Sequence, residues 1–443
     1  MTPSPPLTRP VRPPASRPRE HPRLVVVGNP ANRRVAYFRD AVRRAGLPEA
    51  RVEPWLDVLR GGARFHAGET VRLESPGEDP DVDRILRGTD DPTRVEGTGR
   101  WYAEFTAATA RLARSVGEAG AELVDDPAEA AVLFDKRLSH ARLSEALVPV
   151  PLSPTSGADA PPVRGWADVR ASMAATGLRR VFVKLAHGSS ASGVLAVETN
   201  GAGRVQATTS VERAPDGRLF NSLRVRRYTT EREVAAVVDA LAPDGLHIER
   251  WLPKAVQGGR AADLRVVVID GRATHAVVRT SRSPMTNLHL GGARGDLGAV
   301  RAAVSAAGGR WSDALDVCER AAGAFPGMRC VGVDLLPAVG WRRFAVGEVN
   351  AFGDLLPGLT GLPGSGAEGL DTYAAQVAAL LRDSPSRTAG SRTAGNRTTG
   401  NRTADPTHAT SPTDPTRATS PTSPTGSTRT TRTTRTTGTS PTP

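Results

Sequence analysis

Three oxygen side chains near the C-terminal third could together hold a hard cation. They are Asp334, Glu348 and Asn350, and all fall within Cys330–Leu356, which reads CVGVDLLPAVGWRRFAVGEVNAFGDLL. Two strands joined by a turn at Pro337–Trp341 would carry them. Val331, Val333 and Leu335 alternate with Gly332, Asp334 and Leu336, which turns Asp334 away from the valine face. On the second run, Arg343–Asn350, Phe344 and Val346 share a parity with Glu348 and Asn350, so one face is expected to change from apolar to oxygen-rich along its length. An aspartate, a glutamate and an amide with no histidine or thiol beside them suit Mg²⁺ bridging phosphates better than zinc or copper. The alternative is an acidic hairpin that faces solvent.

A second group of residues could meet phosphate. Lys136 opens a Leu- and Ala-rich helix, and Lys184 ends a strand in VFVKLAHGSSASGVLAVE. The loop between the two strands, His187–Gly193, contains Gly188, Ser189, Ser190, Ser192 and Gly193, small residues that let backbone N–H groups approach an anion. Gly188–Gly193 fits G-x-x-x-x-G, but Val194-Leu195 replaces the Lys-Ser/Thr of a P-loop and a strand replaces its helix, which excludes a Walker site. His187 alone reads more readily as a loop residue than as a ligand. Leu246–Leu252 (LHIERWL) is a short strand containing Glu249. Asp263–Asp270 and Ala273–Arg279 flank Gly271 as a hairpin with an Asp-Gly turn, which places Arg265 and Arg279 on adjacent strands. The polar, Gly-rich SRSPMTNLHLGGARGDL that follows has the composition of a loop that closes over a ligand.

These residues need elements to position them. Arg23–Gly28 (RLVVVG) is a continuous apolar strand of the kind buried in an α/β sheet, and Tyr37–Ala45 follows with helical spacing. Only Gly28 stands at the turn, so the G-x-G-x-x-G dinucleotide fingerprint is absent and a nicotinamide or flavin reading loses its support. With a helix at Ala103–Ala119 and a short strand at Ala131–Phe134, residues 22–134 read as a small doubly wound α/β domain. Asn29, Arg33 and Arg34 sit where open sheets bind ligands, although arginines on a first helical turn are equally at home in solvent. Further helices are expected at Trp166–Ala175, Val300–Ala307, Ala314–Ala324 and Thr372–Leu381.

The chain has 443 residues and a net charge of +12. Residues 1–21 are Pro- and Arg-rich, and residues 384–443 consist largely of Thr, Ser, Pro, Arg and Gly with a degenerate five-residue repeat, so both are expected to be disordered. The tail holds eight arginines against two aspartates and the arm four arginines against one glutamate, which leaves about +3 for the body. The basic balance therefore argues for no specific nucleic-acid partner. Cys318 and Cys330 are too few for a disulfide framework and read as core thiols. With no apolar leader or span, a cytoplasmic, membrane-free protein is expected.

Read in order, Lys136 to Leu381 resembles the ATP-grasp superfamily, and within it the RimK-like and glutathione-synthetase-like carboxylate–amine ligases. The resemblance rests on the strand and Gly/Ser loop around Lys184, on DLRVVVIDG, on NLHLGG at Asn287–Gly292, and on GVDLL followed by EVNA. It implies a two-subdomain ATP-grasp fold over residues 135–383, preceded by an α/β domain of the type common in the family. By that resemblance Lys136 and Lys184 would bind the α- and β-phosphates, and the loop from His187 through Gly188, Ser189 and Ser190 to Gly193 would cover the triphosphate. Glu249, Arg250 and Leu252 would form the hinge that reads the adenine, with Asp263 near the ribose. Arg279, Asn287 and Arg265 would serve the reacting end, and Asp334, Glu348 and Asn350 would hold Mg²⁺ or alternatively Mn²⁺. The implied activity is an ADP-forming ligase acting on a carboxylate and an amine, either small molecules or peptides. The alternatives are a phosphotransferase on the same fold and a non-catalytic ATP-binding regulator or assembly partner. One departure stands out: where RimK-like ligases continue EVN with A-S-P-G, this chain has Ala351-Phe352-Gly353-Asp354, so a different acceptor pocket is expected.

Overall fold

Arg23–Gly28 forms β1, and every residue after Arg23 in it is buried. A computed structural model describes residues 21–383 apart from 190, 201 and 202. The tail and all but the last residue of the arm lie outside the described residues, as does Ser190. Strands β2 (Arg51–Pro54), β3 (Glu69–Leu73) and β4 (Glu122–Leu123) join β1 in a parallel sheet of order β2-β1-β3-β4. Alternate residues of β1 enter different cores. Leu24 and Val26 pack with Val35, Phe38 and Val42 of the helix Arg33–Arg44, while Val25 and Val27 pack with Trp55, Leu86 and Phe105 on the other face. Helices on both faces make this a doubly wound unit. The last helix, Thr372–Asp383, returns to it and lays Tyr373, Val377 and Leu380 into the Leu24 core.

The stretch expected as a strand at Ala131–Phe134 is helical instead. Asp126 accepts the Ala128 N–H at 2.8 Å and Pro127 takes the first turn, so a capped helix spans Pro127–Leu133. A second sheet is antiparallel and follows the order β8-β7-β6-β5-β9: β5 is Arg180–Leu185, β6 Leu195–Thr199, β7 Val205–Arg213, β8 Leu219–Tyr228 and β9 Leu246–Arg250. Helices Trp166–Thr176 and Glu231–Leu241 cover it, the latter opened by a reciprocal Thr230–Glu233 capping box. A third sheet runs β13-β12-β11-β14-β15, with β10 (Val256–Gln257) paired to β11 (Arg260–Ile269). Its other members are β12 (Arg272–Ser281), β13 (Ala293–Arg294), β14 (Cys330–Pro337) and β15 (Phe344–Asn350). Helices Leu297–Ala306 and Trp311–Gly323 supply Val300, Val304, Val317 and Cys318 to its covered face. Two helix-backed antiparallel sheets thus follow one doubly wound unit. Asp270 and Gly271, with φ of 48° and 74°, make the expected two-residue turn between β11 and β12.

Both cysteines are free and buried, and burial pushes the Cys330 thiol up to about 12. Among the described residues no helix is long and apolar enough to cross a membrane.

Asp125 follows β4 and accepts the Arg329 N–H at 2.9 Å. Burial pushes its carboxyl up to about 6, against the opposing charge of Arg72. The folded state therefore holds this proton at a higher pH than the unfolded chain does, so the group favours folding in acid and that contribution is lost as pH rises toward about 6. Asp125→Asn keeps an acceptor for Arg329 and should gain about 1–3 kcal/mol at neutral pH with little change at about pH 4. Thermal melts at both pH values check this, and a lower melting temperature at neutral pH would contradict it.

Candidate active site

Asp334 of β14 stands directly opposite Glu348 of β15, and Gly332 opposite Asn350. The register then shifts, so that Leu335 pairs with Val346 and Gly347 is left as an extra residue. This bulge corrects the expected parity. Phe344 and Val346 lie in the same core as Val349 and Val333, while Glu348 and Asn350 turn to the other face. Glycine suits the bulge, because a Cβ at 347 would meet the Leu336 side chain at 3.0 to 3.4 Å.

The oxygen-bearing face opens on a cleft of about 780 Å³, counting its solvent-open part. Lys136, Lys184 and Lys254 all line it. These are the three lysines of the chain, whose other 55 of 58 basic residues are arginine. The Lys136 ammonium donates to the Gly188 carbonyl at 2.5 Å and to Glu348 at 2.9 Å. Lys184 lies 2.5 Å from Glu249, and Lys254 bridges Asp263 at 2.9 Å and Thr286 at 3.0 Å.

Charge compensation holds Lys184, Glu249, Glu348 and Asp263 ionised. Burial by itself would drive the Lys184 ammonium down, but the Glu249 and Glu348 carboxylates outweigh it and raise the group above the usual lysine range. Burial likewise opposes ionisation of Glu249, and Lys184 and His247 bring that carboxyl down to about 2. Glu348 follows the same pattern, with Lys136 and Lys184 holding it below the ordinary range despite burial. Asp263 is driven well below the usual range by Lys254 and Arg279, again against burial. Its oxygens already accept from Lys254, from Arg279 at 2.8 Å and from the Thr286 hydroxyl.

The metal-type trio fits a hard cation. Asp334 Oδ1 has Arg265 Nε at 2.7 Å and Arg279 Nη2 at 3.1 Å, yet it is buried without an aligned hydrogen bond. The Asn350 amide nitrogen donates to the Gly332 carbonyl at 3.1 Å, which orients the amide. Among the described residues no group of three or more His, Cys, Asp or Glu could hold a metal; the trio counts two carboxylates and an amide, so bound phosphate oxygens would complete a shell.

A second chamber of about 1450 Å³ continues from the cleft. The two share Lys136, Gly188, Ser189, Arg279, Asn287, Asp334 and Glu348, and the chamber adds Arg265, Asn350, Arg34 and Asp354. Glu249, Arg250, Leu252 and Asp263 line the cleft alone. The Arg250 N–H is spent on the Leu152 carbonyl at 2.8 Å. Two expected residues stand elsewhere. His187 stacks on Tyr102 at 4.0 Å and binds the Phe134 carbonyl at 3.1 Å. Gly193 has a φ of 68° and leaves no room for a Cβ, which would come within 2.4 Å of Leu185. Of the N-terminal residues, Asn29 ties the loop after β3 by binding the Pro76 carbonyl at 2.8 Å, Arg33 is exposed, and Arg34 reaches the chamber.

Sequence reasoning missed Lys254, Phe182, Met285 and Thr286, which also line the cleft. Lys254 carried a signal, since lysine is so scarce in this arginine-rich chain. The other three are ordinary strand and loop residues.

Solved structures of ATP-grasp proteins are among those to which the chain is similar. The ATP-grasp ligase PsnB, solved with a minimal precursor, matches 82% of this chain and 99% of its own at 18% identity and a TM-score of 0.47. D-cycloserine synthetase DcsG matches 81% and 99%, respectively, at 18% identity and a TM-score of 0.48. A RimK-domain ATP-grasp protein from Sphaerobacter thermophilus matches 81% and 98% at 16% identity and a TM-score of 0.43. No protein-family model matches the sequence, and no curated protein matches it.

The Lys184–Glu249 pair is buried, so removing one partner strands the other. Glu249→Gln should cost about 3–5 kcal/mol of stability by that mechanism. Denaturant unfolding measures it, and a loss below about 1 kcal/mol would mean that the pair is as weak as an exposed one.

Proposed function

We propose that the chain is an ATP- and Mg²⁺-dependent ligase that joins a carboxylate to an amine through an acyl phosphate and releases ADP and phosphate. The observation that carries this reading is the convergence of all three lysines on one cleft with Asp334 and Glu348. Phe182, Leu252, Met285 and Leu336 supply apolar surface for a purine, and Lys136 and Lys184 meet the phosphates as point charges. Backbone at Gly188 and Ser189 lies where the triphosphate would pass. Asp263, with its oxygens already engaged, orients Lys254 and Arg279 and leaves little capacity for a ribose hydroxyl. Asp334, Glu348 and Asn350 would hold Mg²⁺, which when bound supplies positive charge against the phosphoryl oxygens.

The chamber supports an acid substrate, because Arg265 and Arg279 both border it beside Asn287. A carboxylate oxygen attacks the γ-phosphorus and the bond from that phosphorus to the β–γ bridging oxygen breaks, giving the acyl phosphate and ADP. The amine then attacks the acyl carbon, the carbon–oxygen bond to phosphate breaks, and the nitrogen loses a proton. Position and charge suffice, with no protein nucleophile.

An ADP-release screen of small acids, amino acids and peptides tests the proposal, with hydroxylamine as the general acceptor. The expected result is hydroxamate formation with a subset of acids, lowered by about 10²-fold or more in Glu348→Ala. Unchanged turnover in a folded Glu348→Ala protein would overturn the assignment.

A further inference from the structure

Lys254 is a cleft lysine to which neither the phosphates nor the metal-type trio gives a task. It follows the run Glu249–Leu252 after a single proline, and a backbone bridge to Ala338 fixes its place. The side chain is 8% exposed. One ammonium N–H donates to Asp263 at 2.9 Å and a second to the Thr286 hydroxyl at 3.0 Å. An ammonium carries three N–H groups and no acceptor. Among the described residues the third has no partner, and the side chain borders the cleft.

Its position along the cleft narrows what that donor meets. Lys136, Arg279, Asn287, Asp334 and Glu348 line both the cleft and the chamber, so the reacting end of a nucleotide belongs on that side. Lys254 lines the cleft alone, as do Phe182, Leu252 and Met285, the apolar residues suited to a purine. Through Asp263 it is tied to Arg279, whose Nε–H reaches the same carboxylate at 2.8 Å and whose side chain borders the shared side. Lys254 therefore stands between the base end and the phosphate end, at the level of the sugar.

The carboxylates on this side are already spent. Glu249 is taken by Lys184 at 2.5 Å. Asp263, 2% exposed, gives one oxygen to Arg279 and the other to both Lys254 and Thr286. The Thr286 hydroxyl proton goes to Asp263, so toward Lys254 that hydroxyl is an acceptor. A sugar hydroxyl has one proton to donate and two lone pairs to offer. What meets it here is a charged donor, so the sugar oxygen is used as an acceptor and the contact is charge-assisted.

We propose that Lys254 binds the sugar of the nucleotide, its ammonium donating to a ribose hydroxyl oxygen, and that this contact selects ribonucleotides over deoxyribonucleotides. The assignment rests on the ATP-site reading above. It moves the sugar contact from Asp263, where the resemblance would put it, to the lysine that Asp263 holds.

Calorimetry on the full chain with Mg²⁺ present tests it. Wild-type and Lys254→Met proteins are titrated with a non-hydrolysable ATP analogue, with its 2′-deoxy and 3′-deoxy forms, and with inorganic tripolyphosphate. The wild type should bind the ribose form about tenfold or more tightly than at least one deoxy form, the size expected for a hydrogen bond to a charged group. Lys254→Met should bind all three nucleotides alike and tripolyphosphate as the wild type does. Equal binding of all three forms by the wild type, or a preference that survives in Lys254→Met, would overturn the proposal. So would weaker tripolyphosphate binding in that variant, because it would put Lys254 on the phosphates. If Lys254→Met does not fold, Lys254→Gln, which keeps a donor for Asp263, replaces it and should show the same loss of preference. A wild type that binds no nucleotide at all would instead strike the ligase reading beneath the proposal, an outcome distinct from equal binding.

Discussion

The site depends on one constraint, that two carboxylates must face each other across an antiparallel pair without collapsing its core. Asp334 and Glu348 are direct cross-strand partners, and like charges so placed repel. The repulsion is offset by cations from several elements: Lys136 on Glu348, and Arg265 and Arg279 on Asp334. The Gly347 bulge makes the arrangement possible. It lets Val346 and Val349 both remain in the core while Glu348 between them points to the cleft.

That constraint spreads outward because each compensating cation is itself buried and must be satisfied. Arg279 is shared between Asp334 and Asp263, and Asp263 in turn holds Lys254 and Thr286. Lys184 pairs with Glu249 and is also drawn by the charge of Glu348, which brings the second sheet into the same network. Two sheets with separate hydrophobic cores are thus joined by ionised groups along a shared cleft. Truncating one member leaves a partner charged and dry, so these residues are expected to be coupled and their mutational effects not to add.

Much of this was legible in the sequence where a local rule acts alone. β1 reads as a strand because its apolar run is continuous, and the β11–β12 hairpin because Asp270-Gly271 supplies the turn. The oxygen trio and two of the lysines were visible as residue types at strand ends and a helix start. The bulge was not, because an extra residue changes parity without changing composition; Gly347 was its only mark. The β7–β8 hairpin was missed since LFNSLRVRRY lacks alternation, in keeping with its mostly half-exposed residues. Pro127 hid a helix start that only its Asp126 cap reveals. Arg34 read equally as a ligand contact and as a solvated first-turn residue because its anchor, Glu74, lies forty positions away and the carbonyl it meets belongs to Phe352.

Passage of the γ-phosphoryl group to a carboxylate is the central claim, and oxygen tracing measures it directly. The acid that best supports ADP release is labelled with ¹⁸O in its carboxylate and turned over with hydroxylamine as the amine. The oxygen that attacks phosphorus leaves with the phosphate, so one ¹⁸O is expected in each inorganic phosphate formed, alongside ADP. Unlabelled phosphate, a stable phosphorylated product, or AMP with pyrophosphate would contradict it.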